Sequence, residues 1–142
     1  MSKLGRVSRN ASLTRTGIIA ADKTLLTSDS GTTWLVDASS AGNFTITLPE
    51  KKDGLYFTFI LSDDSNAAAE VLLDTGDSNV QLQGKTIVQA DSGADTKDTV
   101  ASQKVGFGDA AKLGDIIEII CGGVHWSIIR AEASVSFITS FS

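Results

Sequence analysis

Among 142 residues the chain has one cysteine, one proline, one histidine, one tyrosine and one methionine. A lone Cys121 cannot form an intramolecular disulfide, and it excludes a cysteine-rich zinc site. No stretch approaches the roughly 18 consecutive apolar residues of a membrane-spanning helix. The opening residues, MSKLGRVSRNASLTRTG, hold no apolar run long enough for a secretory signal, so none is expected. No segment carries an apolar stripe at helical spacing over three turns, which excludes a helix bundle. The most that spacing predicts is a helical turn or two over Asp109–Leu113.

Acidic residues are also missing from one place. The first 21 residues carry Lys3, Arg6, Arg9 and Arg15 and no Asp or Glu, a charge of +4, whereas the remaining 121 carry −9. A basic arm on an acidic body points to contact between the arm and something acidic: nucleic acid, an acidic protein surface, or a neighbouring subunit's body. The arm's evenly spaced Leu4, Val7, Leu13, Ile18 and Ile19 are unlike a fully disordered tail. An extended arm that orders against a partner is expected over residues 1–21. The arm holds no aromatic on which a nucleic-acid base could stack, and the body is acidic, so nucleic acid is not the expected partner.

Residues 22–142 read as strand after strand. Candidates are Lys23–Thr27, Thr32–Asp37, Asn43–Leu48, Leu55–Ser62, Glu70–Asp74, Val80–Gln83, Thr86–Gln89, Val100–Phe107, the segment Gly114–Arg130 and Ser134–Phe141. Asn43–Leu48 alternates cleanly, with Phe44, Ile46 and Leu48 inward, and Pro49 ends it because proline cannot donate to a ladder. Leu55–Ser62 buries Leu55, Phe57, Phe59 and Leu61 on one face. Its other face, Tyr56, Thr58 and Ile60, is also fairly apolar, which predicts a central strand or one covered by a neighbour. About ten strands joined by Gly-, Ser- and Asp-containing turns predict an all-β fold, a β-sandwich or jelly-roll-like single domain with an extended N-terminal arm. A chain of this size buries roughly two-thirds of its unfolded surface and needs no covalent staples.

GDIIEIICGGVHWSIIR predicts a hairpin turning at Gly122-Gly123, where a two-residue loop favours positive φ and hence glycine. That register sets Cys121 opposite Val124, Ile119 opposite Trp126, Ile117 opposite Ile128 and Asp115 opposite Arg130. Cys121 and His125 then point to opposite sides, which opposes a thiolate–imidazole pair. Trp126 is a core residue and His125 a solvent-edge one on this reading, with a sugar-binding face that includes both as the alternative, and Trp34 is read as core too.

Three other stretches could carry chemistry. VLLDTGDSNV resembles the active-site loop of retroviral-type aspartic proteases, which would make Asp74 a catalytic carboxylate. The bracing apolar-apolar-Gly loop is displaced by one residue and no C-terminal helix follows, so an ordinary Asp-Thr-Gly turn is the expectation. Gly106, Gly108 and Ala111 have dinucleotide-loop spacing but lack the amphipathic helix that motif needs. Asp91–Asp98, DSGADTKD, is acidic but fails the spacing of a calcium loop. No cofactor, metal site or small-molecule substrate is expected.

TTWLVDASSAGNFTITLP and GDIIEIICGGVHWSII together resemble a pattern found in tailed-phage virion β-proteins: head decoration (cement) proteins and head- or tail-fibre modules. The likeness spans residues 31–49 and 114–130. It implies a small all-β virion protein, commonly a homotrimer, and a fibre would be expected to carry a longer repetitive shaft. The expected function is therefore a capsid decoration protein, not an enzyme, on the outer surface of the virion. Its partner would be the major capsid protein, with no membrane and no nucleic acid involved. On this reading Lys3, Arg6, Arg9 and Arg15 bond acidic capsid groups, and Leu4, Val7, Leu13 and Ile18 seat in apolar pockets. The alternative is a receptor- or glycan-binding head- or tail-fibre module working through loops around Asp63–Ala68 and Asp91–Asp98, and an aspartic protease ranks behind both.

Overall fold

The computed structural model describes residues 15–39, 42–63, 69–89, 94–134 and 137–140, the last four by their backbone. They form strands β1 (Arg15–Ile19), β2 (Lys23–Thr24), β3 (Thr32–Asp37), β4 (Phe44–Thr47), β5 (Tyr56–Asp63), β6 (Val71–Asp74), β7 (Leu82–Val88), β8 (Thr96–Ser102), β9 (Lys104–Phe107), β10 (Ile116–Cys121), β11 (Trp126–Ala133) and β12 (Phe137–Ser140). Among the described residues one 3₁₀ turn, Thr27–Asp29, lies between β2 and β3. One sheet has seven strands in the order β1-β3-β5-β10-β11-β7-β8, and the other has five in the order β12-β9-β6-β4-β2. The fold is all-β, and of the two forms expected it is the sandwich.

Its winding departs from a jelly roll. Strands β1 to β6 alternate between the sheets, and within each sheet they pair in parallel: β1 with β3 and β3 with β5, β2 with β4 and β4 with β6. A parallel pair needs a crossover, usually helical. Here the crossover is a strand of the opposite sheet, so the chain winds as a flattened coil. Strands β9 to β12 then close it with antiparallel pairs, and β11 also pairs in parallel with β7.

Alternation explains the core. β3, β4 and β6 bury every second residue, as period-2 side-chain geometry requires. Phe57, Phe59, Ile117, Ile119 and Trp126 of the larger sheet and Ile46, Val71, Leu73 and Phe107 of the smaller belong to one cluster. Phe57 and Trp126 rings lie 5.9 Å apart, tilted by 39°. Gly106 lets β9 approach β6, since a Cβ there would sit 1.9 Å from the Val71 carbonyl oxygen.

Several local expectations change. Val100–Phe107 is two strands, with the chain leaving the larger sheet after Ser102 and entering the smaller at Lys104. Val80–Gln83 and Thr86–Gln89 merge into β7 through Gly84. Asp109–Leu113 forms hydrogen-bonded turns, not a helix: Ala111 N donates to Gly108 O and Asp115 N to Lys112 O, each at 3.0 Å. Residues 96–98 of the acidic loop are strand. The side-chain pattern expected for Ser134–Phe141 lies largely outside the described residues.

The hairpin also turns differently. Its loop is Gly122–His125, with Gly122 N donating to His125 O at 3.1 Å. Cys121 faces Trp126 and Ile119 faces Ile128, a slip of two residues from the expected register. A two-residue slip keeps every side chain on its own face, so Ile117, Ile119, Cys121, Trp126 and Ile128 are all buried. Val124 is not, being 62% exposed in the loop. A bulge beside Glu118 then sets Arg130 opposite Glu118. Asp115 therefore does not meet Arg130. It is buried and accepts from Lys112 N, Ser134 N and Ser134 Oγ at 2.8, 3.0 and 2.8 Å.

Candidate functional site

The arm enters the body along β1, the edge strand of the larger sheet. Residues 15–19, read from sequence as part of the arm, are in register with β3 from Arg15–Thr32 to Ile19–Val36. Three inward features dock the strand. The Arg15 guanidinium donates to the carbonyl oxygens of Ser28, at 3.1 Å, and Ser30. Gly17 leaves room for the Trp34 ring, whose nearest atom would lie 2.3 Å from a Cβ at that position. Ile19 is 2% exposed in the core. Lys23 Nζ lies 5.1 Å from the centroid of the same Trp34 ring, a cation–π contact.

Arg15 is therefore engaged by its own body, where the sequence reading had it bonding a capsid. Ile18 points outward and is 69% exposed, open to a partner but held on a sheet. Lys3, Leu4, Arg6, Val7, Arg9 and Leu13 lie outside the described residues. The strand escaped sequence reading because its inward positions are Arg15, Gly17 and Ile19, so only one is a large apolar residue. Trp34, from the next strand of the sheet, covers the place a side chain at 17 would fill.

The other candidate residues occupy structural places. Asp74 ends β6, where Oδ1 accepts from Gly76 N at 2.8 Å and Gln103 Nε2 at 3.0 Å, and Oδ2 lies 3.3 Å from Lys104 Nζ. The Thr75 hydroxyl lies 2.9 Å from the carbonyl oxygens of both Asp77 and Val80, so Asp-Thr-Gly makes a turn tied to β9. Cys121 is 1% exposed. His125 sits on the hairpin loop, where Nδ1 accepts from Gln81 N at 3.2 Å. Gly106 and Ala111 are buried beside the β9 turn. Trp126 and Trp34 are core residues. Of the two loops read from sequence as exposed, Asp63–Ala68 and Asp91–Asp98, residues 64–68 and 91–93 lie outside the described residues. Among the described residues no three His, Cys, Asp or Glu side chains gather as a metal-binding group, and no helix is long and apolar enough to cross a membrane.

The two outer faces differ. That of the smaller sheet is polar: Thr24, Thr47, Asp74 and Lys104 follow one another in register across four strands, and an open groove of about 280 Å³ is lined by Asp22, Lys23, Thr24, Thr45 and Thr47. That of the larger sheet carries aliphatic side chains on β1, β3, β5 and β10. The electrostatics of the charged groups are local. The Arg130 guanidinium, 3.0 Å from Glu132, holds that carboxyl below the usual glutamate value, and hydrogen bonds from Ser39 lower Asp37. The chain matches no family model and no curated protein.

Proposed function

We propose that the chain is a decoration protein of a tailed-phage capsid, bound to the outer surface of the shell by its basic leader and acting as an oligomer, a trimer on the likeness to such proteins. The observation that carries this reading is the charge division. Residues 1–14 hold Lys3, Arg6 and Arg9 with no acidic residue, on a chain of net charge −5. The virion-protein pattern in residues 31–49 and 114–130 supports it, and those stretches form β3, β4, β10 and part of β11.

The leader works as a tether. Its cations bond acidic groups of the major capsid protein, and Leu4, Val7 and Leu13 fill apolar pockets between them. Ordering 14 residues costs about 1–2 kcal/mol each in backbone entropy, so one leader's contacts barely offset the loss. Several leaders on one oligomer share the later binding steps at high effective concentration. Because the protein binds the assembled shell and not its separated parts, it stabilises the shell by mass action. The reading involves no enzymatic step and no cofactor.

The test is deletion of residues 2–14, which stops short of Arg15 and so keeps β1 and its hydrogen bonds. The truncated protein is expected to remain folded and to lose binding to shells stripped of it. Binding by the full chain should weaken as salt rises, as exposed charge pairs are screened. Undiminished occupancy by the truncated protein would refute the tether.

A further inference from the structure

We propose that the outer face of the seven-stranded sheet is where a second copy of this chain docks. Ile18, Leu35, Ile60 and Ile116 are register partners on β1, β3, β5 and β10. Ile19, Val36 and Leu61, the next residues along three of these strands, are buried inward, so the four aliphatic side chains form one row on the opposite, outer face. Ile18 is 69% exposed, and Tyr56 and Ile120, a pair four residues along β5 and β10, are 51% and 37% exposed. The row between them is Thr16, Thr33, Thr58 and Glu118.

The occupant follows from charge and symmetry. On β1, β3 and β5 the face bears no charged side chain short of the Asp37 and Asp63 ends, and on β10 Glu118 stands in its middle row, opposite Arg130 of β11, while the whole chain is −5. An acidic body repels its own copies except where it presents a neutral face. The row also reads nearly the same from either end: turned about an axis along the strands, Ile18 lies over Ile116 of a second copy and Leu35 over Ile60. Such a self-matching surface is what a twofold contact needs, and about a threefold axis in the same direction the Ile18 end of one row would meet the Ile116 end of the next. With strands about 4.8 Å apart, the four-strand patch spans about 20 by 20 Å, about half the roughly 800 Å² per partner of a standard interface. The association is accordingly weak and concentration-dependent in the isolated chain. It stands apart from the decoration reading, since it needs no shell.

Sedimentation velocity of the full chain from low micromolar to several hundred micromolar tests it. The parent is expected to move from monomer to oligomer over this range. Ile60→Glu and Ile18→Glu should weaken association at least tenfold, because a carboxylate would have to be buried in the contact. Thr24→Glu, on the outer face of the other sheet, should associate like the parent. Circular dichroism checks folding, and if Ile60→Glu does not fold, Ile18→Glu decides, since that side chain is mostly exposed in the single chain. A parent monomeric throughout, face variants that associate like the parent, or equal loss in Thr24→Glu would each overturn the proposal. Shell binding is not part of this measurement, so its failure and that of the tether are separate results.

Discussion

Asp115 should be the most sensitive polar residue of the body. It is 4% exposed and ties the turn before β10 to the end of β11 through three donors: Lys112 N at 2.8 Å, Ser134 N at 3.0 Å and Ser134 Oγ at 2.8 Å. Asp115→Ala removes the acceptor and leaves all three unpaired. Each stranded donor costs about 1–3 kcal/mol, and water can reach the Lys112 turn, so the total is about 3–5 kcal/mol. For a chain of this length each kcal/mol lowers Tm by about 3–5 °C, so a fall of about 10–20 °C is expected by circular dichroism. Asp115→Asn is the finer probe. Its amide oxygen keeps both Ser134 bonds, but its NH2 then faces Lys112 N, donor to donor. Losing one charge-assisted bond costs about 1.5–3 kcal/mol, so the amide should fall between parent and alanine. Arg130→Ala is the control. The sequence pairs Arg130 with Asp115, whereas the structure pairs it with Glu132 at the surface, so its Tm should match the parent's. An alanine at 115 costing under about 1 kcal/mol, or an equal loss at 130, would refute this account.

Two smaller predictions concern single groups. The Cys121 thiol, 1% exposed beneath the hairpin, should resist a thiol-specific reagent in the native protein and react fully in denaturant; rapid native labelling would contradict its burial. Ser39 hydrogen bonds hold the Asp37 carboxyl below its usual value. A lowered carboxyl contributes stability that is in place above the ordinary aspartate pKa and fades as pH falls through the lowered one. Ser39→Ala should therefore raise the Asp37 titration midpoint toward the ordinary value, read by carboxyl-carbon NMR, and an unchanged midpoint would remove Ser39 as the cause.

What could be read in advance depended on side-chain alternation. β3, β4, β5 and β6 were legible because each puts large apolar residues at every second position. The hairpin faces were legible for the same reason, and they survived an error in register because that error was two residues. The bulge beside Glu118 was not legible, and it cost the expected Asp115–Arg130 pair. Nor was the parallel winding, because a crossover made of a strand looks in sequence like one more strand of a meander. β1 was hidden because Trp34 fills the space over Gly17. The apolar outer face was half visible: Tyr56, Thr58 and Ile60 marked β5 as central or covered. Only register with β1, β3 and β10 shows that Ile60 belongs to a row.

The winding links the tether to the docking face. β1, β3 and β5 are parallel, so the leader departs at the end of the sheet where Thr32 and Tyr56 begin their strands. Ile18 lies three residues into β1, about 10 Å from that point. Copies packed through the apolar row about an axis along the strands would therefore send their leaders out at the same end of the assembly. An axis along the row would send them out at opposite ends. Only the first arrangement lets several weak leaders grip one surface together, which the entropy cost of ordering each leader demands. On the two proposals together, the neutral face would gather the basic segments that the acidic bodies would otherwise hold apart.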